Sequence, residues 1–119
     1  MPKKSDRRDL AILGALIKAI ELFREIRPSM PLQYVHAFFL VALEPGLSVS
    51  EYAKRSGVSL SVMSRHLLDI GDRNRHMKEG FGLVTSRPNP LELRKNEIYL
   101  TPKGDKIFQR IVRYAEVSA

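Results

Sequence analysis

Two helix-start signals stand eleven residues apart with a glycine between them, and they constrain this chain more than any other feature of its sequence. Ser48-Val49-Ser50-Glu51 has the form of a capping box, in which a hydroxyl accepts from the backbone N–H three residues on while the carboxylate reaches back. A short helix over about Val49–Arg55 follows. Gly57 interrupts it, and Ser59 caps a second helix whose apolar residues Leu60, Met63, Leu67 and Ile70 recur at helical spacing. Two short helices joined by a tight glycine-containing turn make a helix-turn-helix over residues 48–72, with Ala53 small where the helices cross.

The flanks are helical as well. From about Asp6 to Ile26, Leu10, Leu13, Ile17 and Ile20 form one stripe and Ile12, Leu16, Phe23 and Ile26 a second, so this helix needs two partners. One stripe is expected to pack on the chain's own core and the other to close a subunit interface; a central helix buried on both sides within one small domain is the alternative. Pro28 ends that helix, and Ser29 with Pro31 opens another, whose buried side is expected from Leu32, Val35, Phe38, Phe39, Ala42 and Leu43. Pro45-Gly46 stops it, and Leu47 could leave the turn as a single short strand. At the other end, Thr101-Pro102 begins a last helix, 101–117, with Ile107, Phe108, Ile111, Val112 and Ala115 inward.

Residues 71–82 are polar and glycine-punctuated, which reads as a frayed helix end plus a loop. Leu83–Arg87 and Glu97–Leu100 are strand candidates around a proline-containing loop that is kept out of regular pairing, so residues 83–100 form a hairpin. The expected fold is mainly α, a single winged helix-turn-helix domain with a small two- to three-stranded β wing and flanking dimerisation helices. At 119 residues the chain fits one domain. The absence of cysteine excludes disulfide scaffolds, thiolate metal sites and cysteine nucleophiles, and suits a cytoplasmic location. Lys18, Glu21 and Arg24 interrupt the first apolar stretch too soon for a membrane span.

Three segments carry a family resemblance: Leu47-Ser48-Val49-Ser50-Glu51-Tyr52-Ala53, Val58-Ser59-Leu60-Ser61-Val62-Met63-Ser64-Arg65-His66-Leu67, and Pro88-Asn89-Pro90-Leu91-Glu92-Leu93-Arg94 running to Leu100-Thr101-Pro102-Lys103-Gly104. In that order and spacing, from about Leu32 to Gly104, the chain resembles the MarR family of winged-helix transcription regulators. The resemblance implies a homodimer held by terminal helices, a recognition helix in the major groove, and a wing arginine, here Arg94, in the adjacent minor groove. Glu92 stands where the family usually has aspartate. It also implies a small aromatic effector bound between the dimer helices and the DNA-binding part, where Leu16, Phe23, Phe38 and Phe39 could line a pocket, although aromatic stripes at helical spacing are more simply core. Residues 71–82 are longer than the family's usual link, and the chain is shorter at its C-terminus than most members.

The residues themselves point the same way. With Leu60, Met63, Leu67 and Ile70 inward, the 100° step places Ser61, Val62, Arg65, Leu68, Asp69 and Asp72 outward, with Ser64 and His66 on the flanks. Serines approach a major groove without bulk, Arg65 can fork onto guanine O6 and N7, and Val62 can meet a thymine methyl, which makes Ser61, Val62 and Arg65 the base-reading candidates. Pairing of Arg65 with Asp69 at four-residue spacing is the plainer reading of that arginine. The chain is strongly basic, at +7 and pI near 10.0, and from Lys54 to Lys95 it carries nine basic residues against four acidic. Ser59, Ser64, Arg73, Arg75, Lys78, Arg87, Arg94 and Lys95 are therefore the candidates for backbone or wing contact. Glu92, two residues before Arg94, is the alternative partner for that arginine, able to neutralise it or to orient a guanidinium that still points into the groove.

Leu13, Leu16, Ile20 and Phe23, with Ile111 and Tyr114 of the last helix, are the candidate dimer contacts. Neither His36, expected to be structural, nor His66 and His76 have ligand spacing, so no metal or cofactor is expected, and nothing pairs a nucleophile with a base. The expected partners are double-stranded DNA and a second copy of the chain, with no membrane and no enzymatic activity. A protein-interaction scaffold of a replication, partition or transcription complex is the alternative reading.

Overall fold

The computed structural model describes residues 6–72 and 79–118. They form α1 (Arg7–Ile26), α2 (Leu32–Leu43), α3 (Val49–Ser56), α4 (Leu60–Asp69), β1 (Val84–Pro88), β2 (Asn96–Leu100) and α5 (Pro102–Ser118). The chain divides into two compact units, one of residues up to Met30 together with those from Lys106 onward, the other Pro31–Asp105. None of the helices among the described residues is long and apolar enough to cross a membrane.

In the Pro31–Asp105 unit, the core is built by Ala37, Phe38 and Val41 of α2, Tyr52 and Ala53 of α3, Met63 and Leu67 of α4, and Ile70, Leu83, Val84 and Ile98 around the hairpin. Tyr34, Ala37, Phe38 and Val41 recur at helical spacing, so the inner face of α2 is rotated from the expected one. Leu32 and Leu43, placed inside by the sequence, are 78% and 76% exposed. The two helix starts form as read: Ser48 and Glu51 exchange both capping-box bonds, and Ser59 accepts from the Val62 N–H at 3.3 Å. The Ser48 bonds lower the Glu51 pKa below the usual carboxylate range, so the cap is charged at neutral pH. Gly57 closes α3 in the left-handed region at φ 71°, the conformation that makes glycine the natural residue there.

Tyr52 ties these elements together. Its hydroxyl donates to the Glu44 carbonyl at 2.6 Å and accepts from the Leu47 N–H at 3.3 Å. Burial pushes the phenol's pKa up, which keeps the donor proton in place. The Ile98 N–H donates to the Leu47 carbonyl and the Gly46 N–H to the Ile98 carbonyl, so the turn after α2 edges β2 without becoming a third strand.

The antiparallel hairpin runs from Val84 opposite Leu100 to Pro88 opposite Asn96, so Pro88 joins the ladder at its last rung. Thr101 fastens the hairpin to α5: its hydroxyl donates to the Gly82 carbonyl at 2.6 Å and accepts from the Gly104 N–H at 3.0 Å. A Cβ on Gly104 would lie 2.1 Å from the Leu83 carbonyl oxygen, so this close approach requires glycine.

In the other unit, Asp6 caps α1 through a reciprocal pair of bonds with Asp9. The buried face of α1 is Ala15, Ala19, Leu22 and Phe23, of which only Phe23 belongs to either apolar stripe. The first stripe is exposed throughout, from 48% at Ile17 to 59% at Leu10, and of the second Ile12 and Leu16 are exposed while Ile26 is half-buried and Phe23 buried, which corrects the expectation that one whole stripe packs on the chain's own core. Side-chain contacts join α1 and α5: Arg110 lies 3.9 Å from Glu25, and the Lys18 ammonium sits 5.9 Å from the Tyr114 ring centre.

Candidate nucleic-acid interface

Helix α4 buries Met63 and Leu67, and Ser61, Ser64, Arg65 and Leu68 recur at three- and four-residue spacing on its exposed side. The apolar pattern had placed Leu60 in the core. It is 57% exposed, because the buried stripe begins one turn later, at Met63, and Leu60 stands at the helix start beside Ser61. Val62 is half-buried rather than outward, facing a hollow of about 180 Å³ shared with Tyr34, Arg65, His66 and Asp69. Ser59 spends its hydroxyl on the helix cap.

The alternative reading of Arg65, a pair with Asp69, does not form. Asp69 instead accepts a 2.6 Å hydrogen bond from the Tyr34 hydroxyl on α2, and Arg65 makes no ion pair with a described residue. His66 meets the Tyr34 ring edge-on at 5.6 Å, and burial lowers the pKa of its imidazole below the ordinary histidine value. His36 is exposed on α2. Among the described residues no group of three or more carboxylates and histidines is placed to hold a metal.

At the wing tip, Asn89 accepts from the backbone N–H groups of Leu91 at 2.8 Å and Glu92 at 3.1 Å, an Asx turn that orders the loop. Glu92 pairs with Lys95 at 3.3 Å, not with Arg94 as the alternative reading had it, since the turn brings the third residue on rather than the second alongside. Arg94 is left exposed at the tip and flanked by Leu93, 78% exposed. Arg87 lies 4.5 Å over the Tyr99 ring, a cation–π stack that holds its guanidinium along the wing surface while leaving it accessible. Strand register is the signal that could have found this stack: Arg87 is opposite Glu97, and Tyr99 is two residues along on the same face.

Between α4 and the wing lies a cleft of about 580 Å³, apolar at its floor through Leu67, Val84 and Ile98, with Ser64, Asp72 and Asn96 at its rim. The link from α4 to β1 is pinched at its base: the Gly80 N–H donates to the Asp72 carbonyl, Gly82 to Gly71, and Leu83 to Ile70. Its extra length therefore does not add to the distance between helix and wing. Arg73, Arg75 and Lys78 lie outside the described residues. Arg55, counted in the basic excess, is engaged by Glu44 through two bonds of 3.1 and 3.4 Å, which raise its pKa further.

Of the candidate dimer contacts, Leu13, Leu16 and Ile20 are more than half exposed. Phe23 is a correction: at 2% exposure it belongs to the core of its own chain. Ile111 is half-buried, and half-buried Tyr114 accepts from Arg110 at 3.1 Å. Of the residues named for an effector pocket, Phe23 and Phe38 are buried core residues, while Leu16 and Phe39 are 55% and 40% exposed.

A helix-turn-helix with an exposed second helix, followed by a hairpin fastened to the next helix, defines the winged-helix class. No family sequence model matches the chain, and no curated protein is similar to it in sequence. Solved structures share its fold. FabT of Streptococcus pneumoniae, in complex with DNA, matches with a TM-score of 0.65 at 16% identity, covering 87% of this chain and 66% of that one. A MarR-like transcriptional regulator of Thermotoga maritima matches with a TM-score of 0.65 at 23% identity, covering 97% and 79%. A mutant of MarR from E. coli, complexed with operator DNA, matches with a TM-score of 0.60 at 20% identity, covering 87% and 69%. The chain thus has the winged-helix fold of the MarR-type regulators, and it spans 61% to 67% of the length of three such solved chains.

Proposed function

We propose that the protein is a cytoplasmic, dimeric regulator of transcription that binds double-stranded DNA by sequence, and that its work is binding rather than catalysis. The observation that carries this reading is the exposed stripe Ser61, Ser64, Arg65 and Leu68 on α4, with an arginine that no described carboxylate neutralises. A helix so furnished suits the major groove: Arg65 forks onto a guanine, Ser61 bonds a base edge or phosphate, and the exposed Leu60 offers apolar contact to a thymine methyl. Arg94 at the wing tip suits a narrow minor groove, and Arg87 and Ser64 suit flanking phosphates. That FabT, MarR and CouR have been crystallised with DNA supports the same reading.

The exposed leucines and isoleucines of α1 call for cover, and a second copy of the chain supplies it with two-fold symmetry. A dimer presents two reading helices to half-sites about one helical turn apart. The deciding experiment is selection of bound sequences from a random duplex pool, expected to return an inverted repeat. Retention of no duplex at low salt would turn the reading to a protein-interaction module, for which the exposed Leu60, Leu68, Leu91 and Leu93 speak.

A further inference from the structure

We propose that Leu93 is an apolar wedge: seated beside Arg94 in the minor groove, it opens a base step and kinks the duplex under the wing. The inference rests on the reading of the wing as a minor-groove contact.

The Lys95 N–H donates to the Glu92 carbonyl at 2.9 Å, which closes a turn with Leu93 and Arg94 as its two corner residues, the positions that project farthest from the hairpin. Leu93 is 78% exposed there, and Leu91, earlier on the same tip, is 94% exposed. The backbone holds both leucines out in water. Asn89 accepts from the N–H groups of Leu91 and Glu92, its own N–H donates to the Lys95 carbonyl at 2.8 Å, and the Glu92–Lys95 ion pair spans the turn. A tip already ordered in this way presents a side chain to a partner without a large loss of loop entropy on binding.

The charges beside the leucines select the partner. Between the strands, residues 89–95 carry Glu92, Arg94 and Lys95; the first and last pair with each other, so the net charge of the tip is that of Arg94, which makes no ion pair with a described residue. A cation next to apolar surface at the corner of one narrow turn matches a DNA groove, with phosphates at its walls and base faces that an inserted leucine can cover. A stable protein interface needs far more area than two side chains offer.

Insertion between stacked bases costs unstacking, so the wedge favours the steps that open most readily, TA and CA/TG, a preference the selected sequences should show in the flanks under the wings. The test labels the ends of a selected duplex with donor and acceptor dyes, and places aminopurine, an adenine analogue whose fluorescence rises on unstacking, at successive steps of the flanks. The unmodified protein should bend the duplex by about 20° or more and brighten the probe at one step in each flank. Leu93→Ala should lose both signals while lowering affinity only about two- to ten-fold, because the lost apolar contact is offset by the unstacking that no longer occurs. Leu93→Phe should keep both signals, and Leu93→Lys, which adds charge to the tip, should bind the duplex without bending it. Bending and brightening unmoved by Leu93→Ala overturn the inference. So does a bound duplex that stays straight under the unmodified protein, an outcome that leaves the DNA reading standing. Failure to retain any duplex overturns the DNA reading, and this inference with it.

Discussion

Leu16→Ala and Phe23→Ala, seven residues apart on α1, should fail in different ways. Leu16 is 55% exposed in the single chain and Phe23 only 2%, so the first has a surface still to bury and the second has none. Burying a whole leucine is worth about 1.5–3 kcal/mol, so covering the exposed half of Leu16 in a dimer contributes roughly 0.8–1.5 kcal/mol per subunit. Two-fold symmetry counts it twice. Leu16→Ala should thus weaken the dimer by about 1.5–3 kcal/mol, roughly ten- to a hundred-fold in dissociation constant, while the folding of the isolated chain shifts by no more than about 0.5 kcal/mol. Leu16→Glu should dissociate the dimer outright, because two-fold symmetry duplicates a carboxylate that would have to be desolvated. Phe23→Ala removes a core ring and should cost about 3–5 kcal/mol of folding stability. Sedimentation velocity across a micromolar concentration series reads the association, and urea unfolding at concentrations below the dissociation constant reads the fold. A monomeric mass for the unmodified protein at micromolar concentration refutes the reasoning, as does a Leu16→Ala protein that loses urea resistance like Phe23→Ala yet keeps its dimeric mass.

Arg65→Ala should weaken binding to the selected duplex by about 1–3 kcal/mol and relax preference at one base position per half-site, with thermal stability unchanged; an unaltered preference in a repeat selection would remove Arg65 from readout. Arg94→Ala should cost more affinity than Lys95→Ala in a fluorescence titration, because Lys95 is held by Glu92 and Arg94 is not, and equal losses would count against the wing assignment. Gly104→Ala drives a methyl into the Leu83 carbonyl and should destabilise the protein by about 1–3 kcal/mol in urea, which a normal midpoint would contradict. The Glu51 pKa is depressed in the folded state, so the cap of α3 contributes its stability above the unfolded carboxylate pKa and loses it as pH falls through the lowered value; Glu51→Gln should flatten that part of an acid titration of stability.

The stops and starts of this chain were legible in its sequence because they are made by residues close together along it. Ser48 with Glu51, Ser59, Gly57 and Thr101 act over three or four positions through hydroxyls, a carboxylate and a left-handed turn, and each performs the role its spacing expects. Periodicity likewise found the helices and the hairpin, since apolar residues recur at the period of the element that buries them. Which apolar face is buried is a different matter, because it depends on what another element presents. Helix α1 hides its alanines with Leu22 and Phe23, and leaves the rest of its apolar stripes, apart from half-buried Ile26, outside; α2 turns Leu32 and Leu43 to solvent; and α4 leaves Leu60 out because burial begins at Met63. Charge partners could not be settled from spacing for the same reason. Sequence spacing matched Asp69 to Arg65 and Glu92 to Arg94, whereas the folded chain gives Asp69 to a tyrosine on another helix and Glu92 to the lysine that the wing turn brings alongside. The sequence by itself determined the elements and the basic excess around α4 and the wing, through local bonds, repeat period and composition. Only tertiary structure decided which arginines stand unneutralised, because that turns on distances between side chains that the chain brings together by folding.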